Sequence, residues 1–521
     1  MSLTLPDGLV LPDEDGCPAP ATLAPPPPAP RSAWVLAGVA LAVRAAAALL
    51  DPVPPRDGIA LAETVRAAAG GSFRALLEAP HPPLAALLAA PFAALGLDPV
   101  AALSVVAVFC GGAAAFALHA IARRMFDEDA ANGAVLLYAV TPPLVRLGST
   151  ALGEPVLFLL GVLSVDAAVR ALRHWRPARD AACAGLLGGA AFLARPEGLA
   201  LLLPAVLAPL GPGGGRPRRN RVAGAALAAL AFAAVAGPWA AASGRLLPGK
   251  SVAVLAGSGI PAEPGGAAPA ERHGFFGAAV QAAGALPEAI HPVVAALAAL
   301  GLAAAAAGFR PCGRAMGPLA LVLGAAGLFL GGVVLLEWRY GYGGRRHAAM
   351  AAVLLVPFAG AGILAAGRLL GRVGGSLARP VVALGIVAFG AAIPLLVGAV
   401  FQRDEAGGEA RKVGLRLRSL HGPGAPPLRV ATFGEPRVAW YAGGTDARLL
   451  RDYGVPPGAP PGEGARKRAA LLWMLRHEGA PEFLILRKGD GRVPPGLPDP
   501  RWDPPAAEAG SLRAWRTAGI R

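Results

Sequence analysis

Two acids stand at the edges of apolar runs far apart in this chain: Asp57, in Arg56-Asp57, and Glu154, in Gly153-Glu154-Pro155. Carboxylates brought together at such edges can divide the work of a general base and of an anchor for a substrate or metal. A plainer reading stays open, in which Asp57 caps a helix starting at Gly58 and Glu154 sits favourably at the N-terminus of a span. Nearby ionisable groups are His81, in His81-Pro82-Pro83-Leu84, and the Arg195-Pro196-Glu197 step, whose two charges can pair across a bend. Arg56 beside Asp57 would keep the carboxylate ionised. Glu63, less than two helical turns on, reads as part of a solvated face.

The elements that must hold these residues are membrane spans. Of 521 residues 55% are hydrophobic and only 16% are charged, with mean hydropathy +0.53; ordinary soluble domains carry roughly 25% charge. No single soluble core could hide so many Ala/Leu/Val/Gly runs, and each run of about 20 apolar residues suits a bilayer. The net charge of +15 does not indicate nucleic-acid binding. Only four basic residues are Lys, the arginines gather at the ends of apolar runs, and no recognition module appears. Four cysteines without CxxC or ligand spacing give no disulfide framework and no metal site.

Placing the arginine clusters on one side gives eleven spans, with the N-terminus cytoplasmic and the C-terminus outside. They lie at about 32–50, 99–121, 130–147, 155–172, two short spans within 181–210 meeting at Arg195-Pro196-Glu197, then 222–242, 289–308, 317–336, 347–366 and 381–401. The segment 81–96 is apolar but short and is read as an interfacial helix. Residues 1–31, acidic and then proline-rich, read as a disordered cytoplasmic tail. From 402 onward no run can span; 402–521 reads as a small extracytoplasmic α/β domain, with strands at Arg429–Phe433, Val438–Tyr441 and Phe483–Leu486 and helices at Glu409–Leu420 and Gly464–His477. This topology puts Asp57 and Glu154 on one side. It also leaves Arg339, Arg345 and Arg346 at external ends of spans, against the positive-inside pattern; a solvated loop or a pairing with Glu337 would equally account for them.

The order of motifs resembles the GT-C class of bacterial polytopic glycosyltransferases, in particular the protein O-mannosyltransferase and lipid A aminoarabinose transferase groups. The motifs are Arg56-Asp57 after the first span, His81-Pro82-Pro83-Leu84, Arg123-Arg124-Met125-Phe126, Glu154 after the third span, and Ala194-Arg195-Pro196-Glu197-Gly198-Leu199. The resemblance covers roughly residues 32–400. The Val438-to-Gly444 stretch looks like part of the variable outer domain some of these proteins carry. Two departures stand out: Asp57 is followed by Gly58 rather than a second acid, and Leu61 replaces the aromatic that often follows.

The resemblance implies a mainly α, GT-C-like bundle over 32–401 in the bacterial inner membrane. It implies sugar transfer from a polyprenyl-phosphate donor to an extracytoplasmic hydroxyl on a lipid, glycan or protein. Asp57 would be the base, with Glu154 as the second acid. Arg56, His81, Arg195, Glu197, Arg339, Arg345 and Arg346 are the candidate substrate-binding residues, and a divalent cation is the one cofactor left open. The competing class is a transporter or lipid flippase. Against it, no inverted repeat is seen and the carboxylates sit at span edges. A catalytically dead scaffold is the third reading.

Overall fold

The computed structural model describes residues 30–79, 81–173, 177–211, 217–244, 274–307, 316–340, 344–373, 390, 392–399, 405–421, 428–432, 436–443, 446–449, 483–487 and 504–516. The chain is a polytopic helix bundle with a small α/β domain. Helix α1 (Arg31–Leu50) is the first long apolar rod. Pro52, Pro54 and Pro55 keep the next stretch extended, and α2 (Arg56–Ala69) starts directly after them. The short α3 (Phe73–Glu78) and α4 (Leu84–Ala94) follow. At 11 residues α4 is about 16 Å long, half the depth of a bilayer core. Helix α5 (Pro99–Met125), capped by the Asp98 carboxylate on the Val100 and Ala101 amides, is long enough to cross.

The run expected as one span over 130–147 is instead two helices, α6 (Glu128–Val140) and α7 (Pro142–Leu147). Pro142 and Pro143 lack amide hydrogens and disfavour helix in the residue before them, so the helix ends at Thr141. Helices α8 (Glu154–Arg173) and α9 (Pro177–Ala194) form a packed pair. The break expected at Arg195 is present: a 3₁₀ turn at Pro196–Leu201, α10 (Leu202–Leu207) and a second 3₁₀ turn at Ala208–Leu210 replace a continuous rod. Helix α11 (Arg218–Ser243) packs along α9.

The span expected at 289–308 is preceded by a helix the apolar pattern did not single out, α12 (Phe275–Ile290), which turns by 105° into α13 (Pro292–Ala306). His291 makes the corner at φ +76°, a left-handed conformation unusual for a residue with a Cβ. Helices α14 (Gly317–Tyr340) and α15 (Arg345–Val373) complete the set, and residues 392–399 are also helical. Among the described residues six helices can cross a membrane by length and composition, or seven if the bent pair counts as one. The rest of the expected spans are shorter pieces or fall partly outside the described residues.

Helix α15 is almost wholly enclosed, with α6, α8, α12, α13 and α14 around it. Met350, Leu354, Phe358 and Ile363 lie at the centre of the main core. Arg44 is one of the charged residues buried inside the bundle. Arg44 of α1 donates to the carbonyls of Ala40 (3.0 Å) and Tyr138 (3.2 Å), with its guanidinium 4.2 Å from the Tyr138 ring centroid. Carbonyl dipoles and a π-face offset the loss of water that a buried cation would otherwise suffer.

In the C-terminal domain, β1 (Arg429–Thr432), β2 (Asp446–Leu449), β3 (Phe483–Arg487), β4 (Ala507–Ala509) and β5 (Leu512–Arg516) form one sheet in the order β2-β1-β3-β5-β4. β1 is parallel to β2 and β3, whereas β5 is antiparallel to β3 and β4. Ala410, Val413 and Leu417 of α16 (Glu405–His421) share a core with Val430, Phe483, Ile485 and Ala514. The strand expected at Val438–Tyr441 is a helix, α17 (Pro436–Tyr441). Pro436 sets a helical φ at its start, and Val438 with Ala442 falls on one buried face at a four-residue spacing. The helix expected at Gly464–His477 lies outside the described residues, as does the tail before residue 30.

Candidate active site

Backbone contacts bring the two acids together. Asp57 lies in the first turn of α2, where a negative charge suits the helix dipole, but it makes no capping bond; α2 starts at Arg56, not at Gly58. Gly58 rests on the 148–153 loop so closely that a Cβ there would come 2.6 Å from the Ala151 carbonyl oxygen. That loop delivers Glu154 as the first residue of α8. A Cβ on Gly153 would come 2.8 Å from the Ala194 carbonyl oxygen, so glycine is what lets the break at Arg195 press against the loop. The third contributor is the start of α15, carrying Arg345, Arg346 and His347. Cations there oppose the helix dipole, so they need acids close by.

Those acids are present. Arg346 donates from Nη1 to Asp57 Oδ2 at 2.8 Å, and from Nε and Nη2 to Glu154 Oε1 at 2.9 and 2.7 Å. Arg195 Nη1 reaches the same Glu154 oxygen at 2.6 Å. It also forms a two-pronged pair with Glu197, Nε to Oε2 at 3.1 Å and Nη2 to Oε1 at 2.7 Å. His347 Nδ1 lies 3.0 Å from Glu197 Oε1. The chain of contacts is therefore Asp57–Arg346–Glu154–Arg195–Glu197–His347, drawn from α2, α15, α8 and the Pro196 turn. The two acids that Arg346 joins differ in exposure: the Asp57 side chain is 53% exposed and that of Glu154 is 1% exposed. Glu154 Oε2 is buried without a hydrogen-bond partner.

Electrostatics set the protonation states at the rim. Partial burial pushes the Asp57 carboxyl upward. The charge and hydrogen bond of Arg346, with smaller help from His81 and Arg195, outweigh it and hold the group below its ordinary value. His81 lies near Asp57, Arg195, Glu154 and Arg346. Burial lowers its pKa more than the Asp57 and Glu154 charges restore it, so the ring is neutral at pH 7.

The remaining candidates are placed as follows. Arg345 is exposed beside Arg346. Arg339 stacks on the Trp338 ring, 4.5 Å from its centroid, and is not among the groups that meet these acids. Arg56 contributes its backbone to the start of α2, and its side chain lies outside the described residues. Glu63 is exposed, as its solvated-face reading required. His347 is the member that residue types alone did not suggest; its signal was the Arg-Arg-His run opening a span. Among the described residues no three His, Cys, Asp or Glu side chains are arranged to hold a metal ion, and the rim carboxylates face guanidiniums instead.

Residues 80–240 match the family model described as dolichyl-phosphate-mannose-protein mannosyltransferase. That segment holds His81, Glu154, Arg195 and Glu197 but neither Asp57 nor Arg346. The chain is similar to the crystal structure of ArnT from Cupriavidus metallidurans bound to undecaprenyl phosphate, at 14% identity and TM-score 0.55, covering 94% of this chain and 98% of that one. The apo state of ArnT gives 13% identity and TM-score 0.56 over the same shares. The archaeal oligosaccharyltransferase AglB from Archaeoglobus fulgidus, in complex with an inhibitory peptide and a dolichol-phosphate, gives 13% identity and TM-score 0.53 over 88% of this chain and 69% of that one. No curated protein sequence matches.

Proposed function

Starting from a polytopic membrane chain with the GT-C fold, we propose that it moves a glycosyl group from a polyprenyl-phosphate donor to an acceptor hydroxyl, with Asp57 as general base. The observation that carries this reading is one guanidinium, Arg346, joining an exposed carboxylate to a buried one at the end of the bundle. The solved relatives, named with undecaprenyl phosphate and with dolichol-phosphate, support the donor class.

In the reaction, Asp57 takes the proton of the acceptor hydroxyl as its oxygen bonds to the anomeric carbon. The bond from that carbon to the phosphate oxygen breaks, and its electron pair leaves with the lipid phosphate. Arg346, the exposed Arg345 and the N-terminus of α15 offer positive charge to that phosphate. Glu154, held by Arg195 and supported by Glu197 and His347, fixes Arg346 from behind. His81, neutral and close to Asp57, is placed to hydrogen-bond the acceptor. Arg339 has no part in this scheme. The bundle over 32–401 would lie in a bacterial inner membrane with residues 1–31 cytoplasmic, and the 402–521 domain would share the outer side with Asp57.

Asp57→Asn keeps size and hydrogen bonding but removes the base. In proteoliposomes supplied with a lipid-phosphate-linked sugar, it should lower transfer by about 10²–10⁴-fold at unchanged expression. Full activity in that variant would remove Asp57 from the mechanism.

A further inference from the structure

Resting on the donor class proposed above, we propose that Arg346 is an exchangeable counter-ion: the donor phosphate takes its Nη1 from Asp57, and only then is Asp57 free to act as base. The order of binding is therefore donor first, acceptor second.

The geometry of the guanidinium is lopsided in the way an exchange requires. Its inner edge, Nε and Nη2, is fixed on Glu154 Oε1, a buried oxygen that Arg195 also grips. Its outer nitrogen, Nη1, meets Asp57 Oδ2, on a half-exposed side chain. Losing the outer contact leaves the guanidinium anchored, and exposed ion pairs of this kind are weak. A phosphate presents more than one oxygen to the same fork and pairs well with arginine. The charged and titratable groups facing Asp57 are Arg346 from α15, His81 from the turn before α4, Arg195 from the break after α9 and Glu154 from α8. Of these, among the described residues, Arg346 alone donates a hydrogen bond to the Asp57 carboxylate.

The exchange resolves a conflict in the resting arrangement. A carboxylate bonded to arginine is a suppressed base, yet the scheme asks it to accept a proton. When the phosphate occupies Nη1, that suppression is relieved where and when the donor is present. After transfer, the proton on Asp57 passes to an oxygen of the departing phosphate. The lipid phosphate then carries the same single charge as the donor did, Asp57 is ionised again and competes for Nη1, and Arg346 returns to it as the lipid phosphate leaves.

The test measures binding of undecaprenyl phosphate to the full chain in nanodiscs. Competition for Nη1 predicts that Asp57→Asn binds this probe about two- to fivefold more tightly than the wild type. The gain should vanish in an Arg346→Gln background, because no shared nitrogen remains. Arg346→Lys, which keeps a charge against Glu154 but lacks the fork, serves as a second background and should abolish the gain likewise. A double-mutant cycle separates this from simple repulsion between Asp57 and phosphate, which would persist in both backgrounds. A gain that is absent, or equal in all backgrounds, overturns the exchange alone. Failure of the wild type to bind the probe saturably overturns the donor class, and the exchange with it.

Discussion

Helix α8 carries an acid–arginine network near each end. At its start Glu154 meets Arg346 and Arg195; about three turns later Asp166 accepts from Arg124 at 2.8 Å and lies 3.4 Å from Arg170, which in turn approaches Asp180 at 3.5 Å. The second network sets two acids against two arginines, and its carboxylates are only 6% and 17% exposed. It joins α5, α8 and α9, as a structural clasp does. The first sets three acids, Asp57, Glu154 and Glu197, against two arginines, Arg346 and Arg195, with His347 beside Glu197. It also leaves one carboxylate half in water. Ion pairing is thus common to both ends. What separates them is the exposed member and the uneven count, features that cost stability and are of use when a charged substrate joins the network.

The comparison breaks first, and most visibly, at the two buried acids. Glu154→Gln leaves Arg346 and Arg195 facing an amide, and Asp166→Asn does the same to Arg124 and Arg170. Removing one partner of a buried pair costs about 3–5 kcal/mol, so both variants should unfold at lower temperature in detergent. Transfer per folded molecule should fall by about 10²-fold or more for Glu154→Gln, because the phosphate-facing guanidinium loses its anchor. It should be nearly unchanged for Asp166→Asn. Equal losses of turnover would erase the distinction between clasp and site.

Arginine-to-lysine exchange sharpens the same contrast with a smaller effect. Arg346 serves two acids through three nitrogens, a geometry an ammonium cannot copy. Arg346→Lys should slow transfer by about tenfold, a loss of about 1.4 kcal/mol of transition-state stabilisation. Arg124→Lys should lower thermal stability by about 1 kcal/mol and leave the rate per folded molecule in place. The measurements are initial rates and unfolding midpoints on the same preparations.

Much of the site was legible in residue types because its members sit where apolar runs meet charge. Asp57, Glu154, Arg195, Glu197 and Arg346 all interrupt or flank hydrophobic segments, and the positive-inside pattern marked Arg346 as out of place. The Asp166 clasp carries no such mark: a single acid one turn before Arg170 lies inside a segment that still reads as a span. Helix breaks were readable where proline signals them, as at Arg195-Pro196. At Thr141 the same signal, Pro142 and Pro143, lies within a longer apolar run, and the single span expected there is two helices. The corner at His291 leaves no mark in the apolar pattern; it falls where α12 and α13 both pack on α15. In the C-terminal domain the four apolar residues Val438–Tyr441 read as a strand because so short a stretch fits both periods, and only burial of Val438 with Ala442 decides for a helix.

Acidification probes the exposed member alone. The Asp57 carboxyl is held below its usual value, so the ionised form is the one the fold favours. Whatever stability and activity it confers is complete above the ordinary carboxylate range and is lost as pH falls through the depressed value. The pH profile of kcat/KM for the donor reports the free enzyme. Its acid limb should therefore lie below the usual Asp range in the wild type, and move up toward it in Arg346→Gln. Arg124→Gln, at the other network, should leave the limb where it is. An acid limb that ignores Arg346 would mean that a different carboxylate governs the rate.

The smallest expected effect lies where the C-terminal domain touches α2. Arg66 of α2 stacks on the Trp440 ring, 4.4 Å from its centroid, and the indole also leans on the cluster around Leu61, Ala62 and Val65. Asp57 rides on the same helix, so the domain is braced against the element that carries the proposed base. A cation–π contact at such an exposed position contributes about 0.5–1 kcal/mol. Trp440→Ala should therefore loosen α17 from α2, seen as faster amide exchange in both helices, and reduce turnover by no more than about fivefold. The reduction should appear in kcat, because α2 would sample positions in which Asp57 is misaligned, while undecaprenyl phosphate binding, held by Arg346 on α15, stays the same. Should amide exchange rise in α17 but not in α2, the brace runs one way only, and the C-terminal domain would be a passenger on the bundle rather than a support for its proposed site.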